Sequence, residues 1–256
     1  MKSIRQRVLK GELMAGTFLN LGSSLTAEMA GQAGFDWVLV DLEHGGGGRQ
    51  ELLLQLQALE STPAATLVRI AWNDPVLFKR VLDLGADGIM VPYVQSAEEA
   101  RKAAAAMRFP PAGVRGVAAM NRACAFGPGF DDYFKAANSE LLTIVQIETG
   151  ATIERVDEIA AVEGVDVLFI GPLDLSVSLG VPKQFDHPTV RAAYAKVVNA
   201  ARRAGKIPGL ILSKEDEIER AVSDGFSFLC VGSDGALVTT GMRRIASAFK
   251  KYKKHD

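Results

Sequence analysis

The chain has 256 residues, 48% of them hydrophobic and 23% charged, which excludes disordered and fibrous classes. Lys and Arg number 29 against 30 Asp and Glu, so no strong field exists to recruit nucleic acid or an anionic membrane. Two isolated cysteines, Cys124 and Cys230, exclude a disulfide framework or a thiol metal site.

From the N-terminus, Met1 to Arg7 mixes charge with isolated apolar residues, and no stretch approaches the ~18 apolar residues of a membrane span; a cytoplasmic location is expected. The first apolar run is Ala15 to Leu19. The second, Trp37 to Val40, follows Gly34 and leads into Asp41, Glu43, His44 and the glycines Gly45 to Gly48, read as a flexible loop beside a site. The third, Thr66 to Ile70, carries Arg69 at its end, and the fourth, Ile89 to Val91, follows Gly85.

Ala97 to Met107 is an amphipathic helix. The segment from Phe109 to Asn138 is long, rich in Pro, Gly and Ala, and holds Arg115, Arg122, Phe126, Phe130 and Tyr133. Long loops of this kind wall a site or meet a neighbouring subunit, and that is the expectation here. The fifth run, Leu142 to Ile147, ends at Glu148, and a helix is expected over Thr152 to Val162. The sixth, Val167 to Ile170, follows Gly164 and leads into Gly171-Pro172-Leu173-Asp174.

Asp186-His187-Pro188 reads as a helix start, with the helix over Thr189 to Ala204. Gly205 precedes the seventh run, Gly209 to Leu212, and Gly225 the eighth, Phe228 to Val231, which places Cys230 in a core strand. Thr240 to Lys254 forms a last amphipathic helix whose basic run, Lys250, Lys251, Lys253 and Lys254, suits the negative end of a helix dipole.

The apolar runs are continuous rather than alternating, as expected when both faces of a parallel sheet are buried. Eight strands alternating with helices predict a closed (β/α)8 TIM barrel, a single α/β domain over residues 1–256, at the usual length for that fold. A doubly wound open sheet is the competing architecture. Its Gly-x-Gly-x-x-Gly signature is missing after the first strand.

In such a barrel the C-terminal strand ends form the catalytic face. Glu148 and Asp174 are the candidate metal pair, because converging carboxylates repel unless a cation or proton lies between them, and oxygen ligands suit Mg2+ or Mn2+. Against this, each could cap a helix or pair with an arginine. His44 can take and return a proton near neutral pH, and a solvent-exposed loop histidine is the plainer alternative. Arg69 would need an anion to offset its burial, either a substrate oxygen or a structural carboxylate. Asp41 could orient the His44 ring or satisfy backbone donors. No lysine ends an apolar strand, which argues against a Schiff-base mechanism; Lys214 and Lys206 are poorly placed.

These residues stand in Val40-Asp41-Leu42-Glu43-His44-Gly45, Arg115-Gly116-Val117, Val145-Gln146-Ile147-Glu148-Thr149, and Phe169-Ile170-Gly171-Pro172-Leu173-Asp174-Leu175-Ser176 followed by Ser178-Leu179-Gly180. In these motifs, spread over nearly the whole length, the chain resembles the HpcH/HpaI aldolase family. The resemblance implies aldol cleavage or formation of 4-hydroxy-2-oxo acids or 2-keto-3-deoxy sugar acids, giving pyruvate and an aldehyde. It implies a divalent metal (Mg2+, Mn2+ or Co2+) on Glu148 and Asp174, acid and base catalysis by His44, and enolate stabilisation by Arg69. Gln146, with Gly171, Pro172, Leu173, Asp174 and Leu212, would contact substrate. Asp83 matches the position that raises the basicity of the histidine, and as it precedes a helix-terminal glycine it would enter from an adjacent subunit. A homo-oligomer, favoured as a hexamer, with its last helix exchanged, is implied too. Glu148-Thr149-Gly150-Ala151 and the four glycines after His44 depart from the family pattern. The competing functions are a CoA-thioester or other 2-oxo acid lyase and a noncatalytic barrel subunit.

Overall fold

The computed structural model describes residue 2 and residues 4–252; Lys253, Lys254, His255 and the side chain of Lys251 lie outside that description. Eight parallel strands close into one barrel in chain order: β1 (Met14–Leu19), β2 (Trp37–Asp41), β3 (Ala65–Arg69), β4 (Gly88–Val91), β5 (Leu142–Ile147), β6 (Val167–Ile170), β7 (Ile207–Leu212) and β8 (Phe228–Ser233). Every expected strand is present, and the open-sheet alternative is excluded by the pairing of β1 with β8. Gly34, Gly85, Gly164, Gly205 and Gly225 all take positive φ, as helix-terminating residues must.

The strand period of two sorts each strand between two cores. Val38, Val40, Val68, Ile89, Val145 and Leu168 pack outward against the helices. Met14, Phe18, Trp37, Leu39, Leu67, Ile144 and Phe169 fill the barrel interior. Carrying the inward parity upward gives Trp37, Leu39, Asp41 on β2, Ala65, Leu67, Arg69 on β3, and Leu142, Ile144, Gln146 on β5, with Glu148 next. The barrel is thus apolar at its floor and charged at its mouth, and the candidate site is the top layer of the inward-facing columns.

At the floor, Trp37 stacks on Phe228 with centroids 4.3 Å apart. Its ring fills the space beside Gly16, where an added Cβ would lie 2.2 Å from Trp37 Cε2. Gly16→Ala is therefore expected to lower unfolding stability by about 1–3 kcal/mol, measured by urea titration, because neither the strand nor the stacked indole can yield without disturbing the core.

The helices follow the expected pattern, with adjustments at their ends. Ala97–Met107 is as predicted, and His187 caps Pro188–Arg203, its Nδ1 accepting from the Thr189 amide. The stretch from Thr152 to Val162 is broken into Gly150–Glu154 and Val156–Ala160 at Arg155. The last helix starts earlier than expected, at Asp234, and runs to Ala248 because Ser233 caps it by accepting from the Ala236 amide. A short 3-10 turn, Lys250–Tyr252, follows.

One of the two expectations for the long segment is overturned. The segment from Phe109 to Asn138 joins a helix to β5, so it lies at the end of the barrel opposite the catalytic mouth and cannot wall its own site. Its arginines hold it there: Arg115 donates to Asp83 at 3.0 Å, and Arg122 donates to the Leu84 carbonyl at 2.7 Å. It is also partly ordered as helix, Phe130–Glu140. Val114, Val117, Met120 and Phe126 remain exposed on it.

Candidate active site

A cavity of about 600 Å³ opens at the mouth of the barrel. Asp41, His44, Arg69, Gln146 and Glu148 line it from β2, β3 and β5. Gly171, Pro172, Leu173 and Asp174 line it after β6, and Leu212 at the end of β7. Ten of the eleven site residues anticipated from sequence therefore share one pocket.

Asp41 and Arg69 are register partners on β2 and β3 with inward side chains, and they meet in a two-point ion pair: Arg69 Nε donates to Oδ1 at 2.9 Å and Nη2 to Oδ2 at 2.7 Å. Arg69 Nη1 also lies 3.0 Å from Glu43 Oε2 and donates to Gln146 Oε1 at 3.4 Å, while its guanidinium stands 5.2 Å from the Phe18 ring centroid. Burial alone would lift the Asp41 carboxyl, but the bonds from Arg69 outweigh it and hold Asp41 below the usual carboxylate range. The structural salt bridge set against a substrate role for Arg69 is thus real. A two-point clamp fixes the guanidinium plane, as a positioned catalytic cation requires.

Of the two roles considered for Asp41, backbone satisfaction is the one seen. Oδ1 accepts from the amides of Glu43 and His44 and so shapes the turn that carries the histidine. The imidazole itself faces solvent, and its Nε2 is 3.6 Å from Glu43 Oε1. Burial raises the Glu43 carboxyl, against the lowering effect of Arg69 and His44.

Glu148 is 4% exposed. Its Oε1 accepts from Gln146 Nε2 at 2.6 Å and its Oε2 from the Tyr93 amide at 2.9 Å, leaving each oxygen with further acceptor capacity. Burial pushes its pKa up to about 7, and the charges of Asp174 and Glu43 add to the rise. Gly171 makes room for this carboxylate: a Cβ there would fall 2.5 Å from Glu148 Oε1. Among the described residues no three His, Cys, Asp or Glu side chains form a ready metal cluster. A buried carboxylate strained by neighbouring negative charge, cradled at a glycine and open on one side, nevertheless fits a divalent cation that completes its shell with substrate and water.

Asp83 is the predicted site residue that this chain does not bring to the pocket. It caps the helix Pro75–Leu82 at the far end of the barrel, where Arg115 binds it. Glu43, 3.0 Å from Arg69, sits inside the Asp-Leu-Glu-His motif yet received no role, and among the pocket residues that the sequence reading passed over, Asn20 follows the first apolar run, where the strand-end rule could have found it. The Asn20 Oδ1 is buried without a hydrogen-bond partner. Lys183, also at the pocket, stands in a loop that gave no sequence signal.

Fold and cavity together define a (β/α)8 barrel whose ionisable side chains gather in one cavity at the strand C-termini. Comparison with known proteins places it more closely: the chain matches HpcH/HpaI aldolase/citrate lyase over residues 14–240, and it belongs to that family. It is 41% identical over 248 residues to a 4-hydroxy-2-oxo-heptane-1,7-dioate aldolase of Shigella flexneri, covering 96% of this chain and 92% of that one. Among solved structures, an HpcH/HpaI aldolase/citrate lyase family protein from Burkholderia cenocepacia J2315 superposes with a TM-score of 0.92 at 34% identity, covering 98% of this chain and 100% of that one. An HpcH/HpaI aldolase from Desulfitobacterium hafniense DCB-2 gives 0.90 at 32%, covering 98% of each chain.

Proposed function

We propose that residues 1–256 act as one catalytic domain that cleaves or forms 4-hydroxy-2-oxo acids, releasing or using pyruvate and an aldehyde. The observation that carries this reading is the buried Glu148 carboxylate beside the clamped Arg69 in one pocket, in a chain of this family. Glu148 and Asp174 would hold the divalent cation, Mg2+, Mn2+ or Co2+, which when bound supplies Lewis-acid polarisation of a 2-oxo group.

The geometry supports the following roles for the protein's own side chains. Gln146 donates to Glu148 and fixes which of its lone pairs faces the pocket. Arg69, locked by Asp41, presents a fixed positive charge where an enolate oxygen gains negative charge. His44 takes the proton of the 4-hydroxyl group in cleavage and returns it in synthesis. Gly171, Pro172, Leu173 and Leu212 surround the pyruvate half. Asp83 would act on His44 only from a neighbouring subunit. The exposed apolar row Leu237, Val238, Met242, Ile245 and Phe249 on the last helix supports a homo-oligomer, with a hexamer as the proposed state. Among the described residues no helix is long and apolar enough to cross a membrane, consistent with the proposed cytoplasmic site of action.

The test is deuterium exchange into the pyruvate methyl group, followed by NMR. Exchange should require Mg2+, Mn2+ or Co2+, stop on chelation with EDTA, and leave no borohydride-trapped adduct on the chain. Metal-independent exchange with a trapped lysine adduct would replace this reading by a Schiff-base one.

A further inference from the structure

Glu148 is held from outside its own strand, by a segment to which the proposed reaction gives no part. Residues 92–95 leave the end of β4, lie against the end of β5 and lead into the helix Ala97–Met107. On the way they engage two successive residues of the neighbouring strand end. The Tyr93 amide donates to Glu148 Oε2 at 2.9 Å, and Gln95 Oε1 accepts from the hydroxyls of Thr149, at 2.8 Å, and Thr152, at 3.0 Å. The Gln95 amide in turn donates to Glu99 Oε2 at 2.6 Å, which fastens the segment to the first turn of that helix.

Both contacts are made against a local preference. Tyr93 has φ 53, in the left-handed region that a tyrosine rarely adopts. The ring does not demand that conformation, since it is 47% exposed and stacks on the exposed Trp72 with centroids 6.2 Å apart. What the conformation achieves is to turn one amide toward the carboxylate while the neighbours Pro92 and Val94 stay buried. Gln95 Nε2 is buried without a hydrogen-bond partner, so the carboxamide is kept there for its oxygen. A strained backbone and an unsatisfied donor, two residues apart and both serving contacts to Glu148 and Thr149, mark a built support rather than a passing loop. With Gln146 on Oε1 and Tyr93 on Oε2, the carboxylate keeps one orientation, and outer hydrogen bonds of that kind govern how well a ligating group holds a cation.

We propose that residues 92–95 form a strap that sets the metal affinity of the barrel mouth, with Tyr93 and Gln95 as positioning residues that act through Glu148. This rests on the reading of Glu148 as a metal ligand. The backbone of Tyr93, not its ring, carries the contact, so the affinity at the mouth follows the φ preference of a solvent-facing side chain.

Binding of Mn2+ to the metal-free protein, read from the EPR signal of the free ion, tests this without turnover. Tyr93→Gly, which accepts a positive φ, should bind Mn2+ within about threefold of the wild type. Tyr93→Ile, whose β-branched side chain opposes that φ, should bind about tenfold more weakly or worse. Both changes remove the same exposed ring, so lost packing affects them alike and the backbone alone separates them. Gln95→Leu, which takes the acceptor from Thr149, should weaken binding by a similar factor of about ten. Equal affinities in Tyr93→Gly and Tyr93→Ile, or wild-type affinity in Gln95→Leu, would overturn the strap. Glu148→Gln separates this claim from the reading beneath it. If that variant binds Mn2+ as the wild type does, the metal assignment fails; if it binds weakly while Tyr93→Ile does not, the strap fails and the metal assignment stands.

Discussion

Glu148→Gln should lower kcat/KM for aldol cleavage by at least about 100-fold to 1000-fold, the scale expected when the cation that would stabilise transition-state charge loses one of its two proposed carboxylate ligands. The amide keeps the volume of the carboxylate and one of its two acceptor bonds, so the change removes charge rather than packing. The same substitution has a second signature in stability. In the metal-free wild type the Glu148 carboxyl is raised from 4.5 to about 7 by burial first and by the Asp174 and Glu43 charges next. Between those pH values the native state holds a proton that the unfolded chain has released. The contribution is therefore fully present below about pH 4.5 and is lost as pH rises through about 7. A rise of that size corresponds to about 3 kcal/mol, as an order of magnitude. Urea unfolding of metal-free protein from pH 5 to 8.5 should fall across this window in the wild type and be flatter in Glu148→Gln. A divalent cation should stabilise the wild type more at pH 8 than at pH 5.5, since it replaces the proton. Parallel pH profiles for the two proteins would mean that Glu148 ionises normally, and the strained-carboxylate basis for the metal site would fall.

That such a carboxylate could be found in the sequence at all follows from the barrel's period of two. Gln146 and Glu148 continue the inward column of Leu142 and Ile144, and Arg69 continues that of Ala65 and Leu67. A polar residue ending such a column must face the mouth. Glycines that terminate helices were equally legible, because positive φ at Gly34, Gly85 and Gly225 is a local demand. What the strand pattern did not carry was information fixed by loops. Lys183 is positioned by a hydrogen bond to Ser176, seven residues away across a turn, and no hydrophobic period marks that contact. The expectation that the long segment from Phe109 walls the site failed for a related reason: its length and composition suggested a site wall, whereas its side of the barrel is decided by whether it follows a strand or a helix. It follows the helix Ala97–Met107, and that alone sends it to the far end. The placement of Asp83 there was foreseen on the same logic.

Asp41→Ala should destabilise the protein by about 3–5 kcal/mol in urea unfolding, the usual loss when one member of a buried ion pair is removed and the other stays. Arg69 is 9% exposed and Asp41 4%, so neither partner can turn to water without opening the barrel mouth. The loss has three parts. Arg69 forfeits both bonds from Nε and Nη2 and keeps only Glu43 and the long contact to Gln146. The Glu43 and His44 amides lose their acceptor, which frees the turn on which the histidine sits. The guanidinium is left with a charge that only Glu43 and Glu148, the other carboxylates acting on it, partly balance. Activity should fall with stability, but for a separable reason, and the double variant Asp41→Leu with Arg69→Met distinguishes the two. Replacing both charges with apolar groups removes the orphaned cation, so stability should recover by a measurable part of the loss, while aldol cleavage stays lost because no fixed charge faces the enolate oxygen. If the double variant regained activity along with stability, Arg69 would be only a strut of the barrel mouth, and enolate stabilisation would have to come from elsewhere in the pocket.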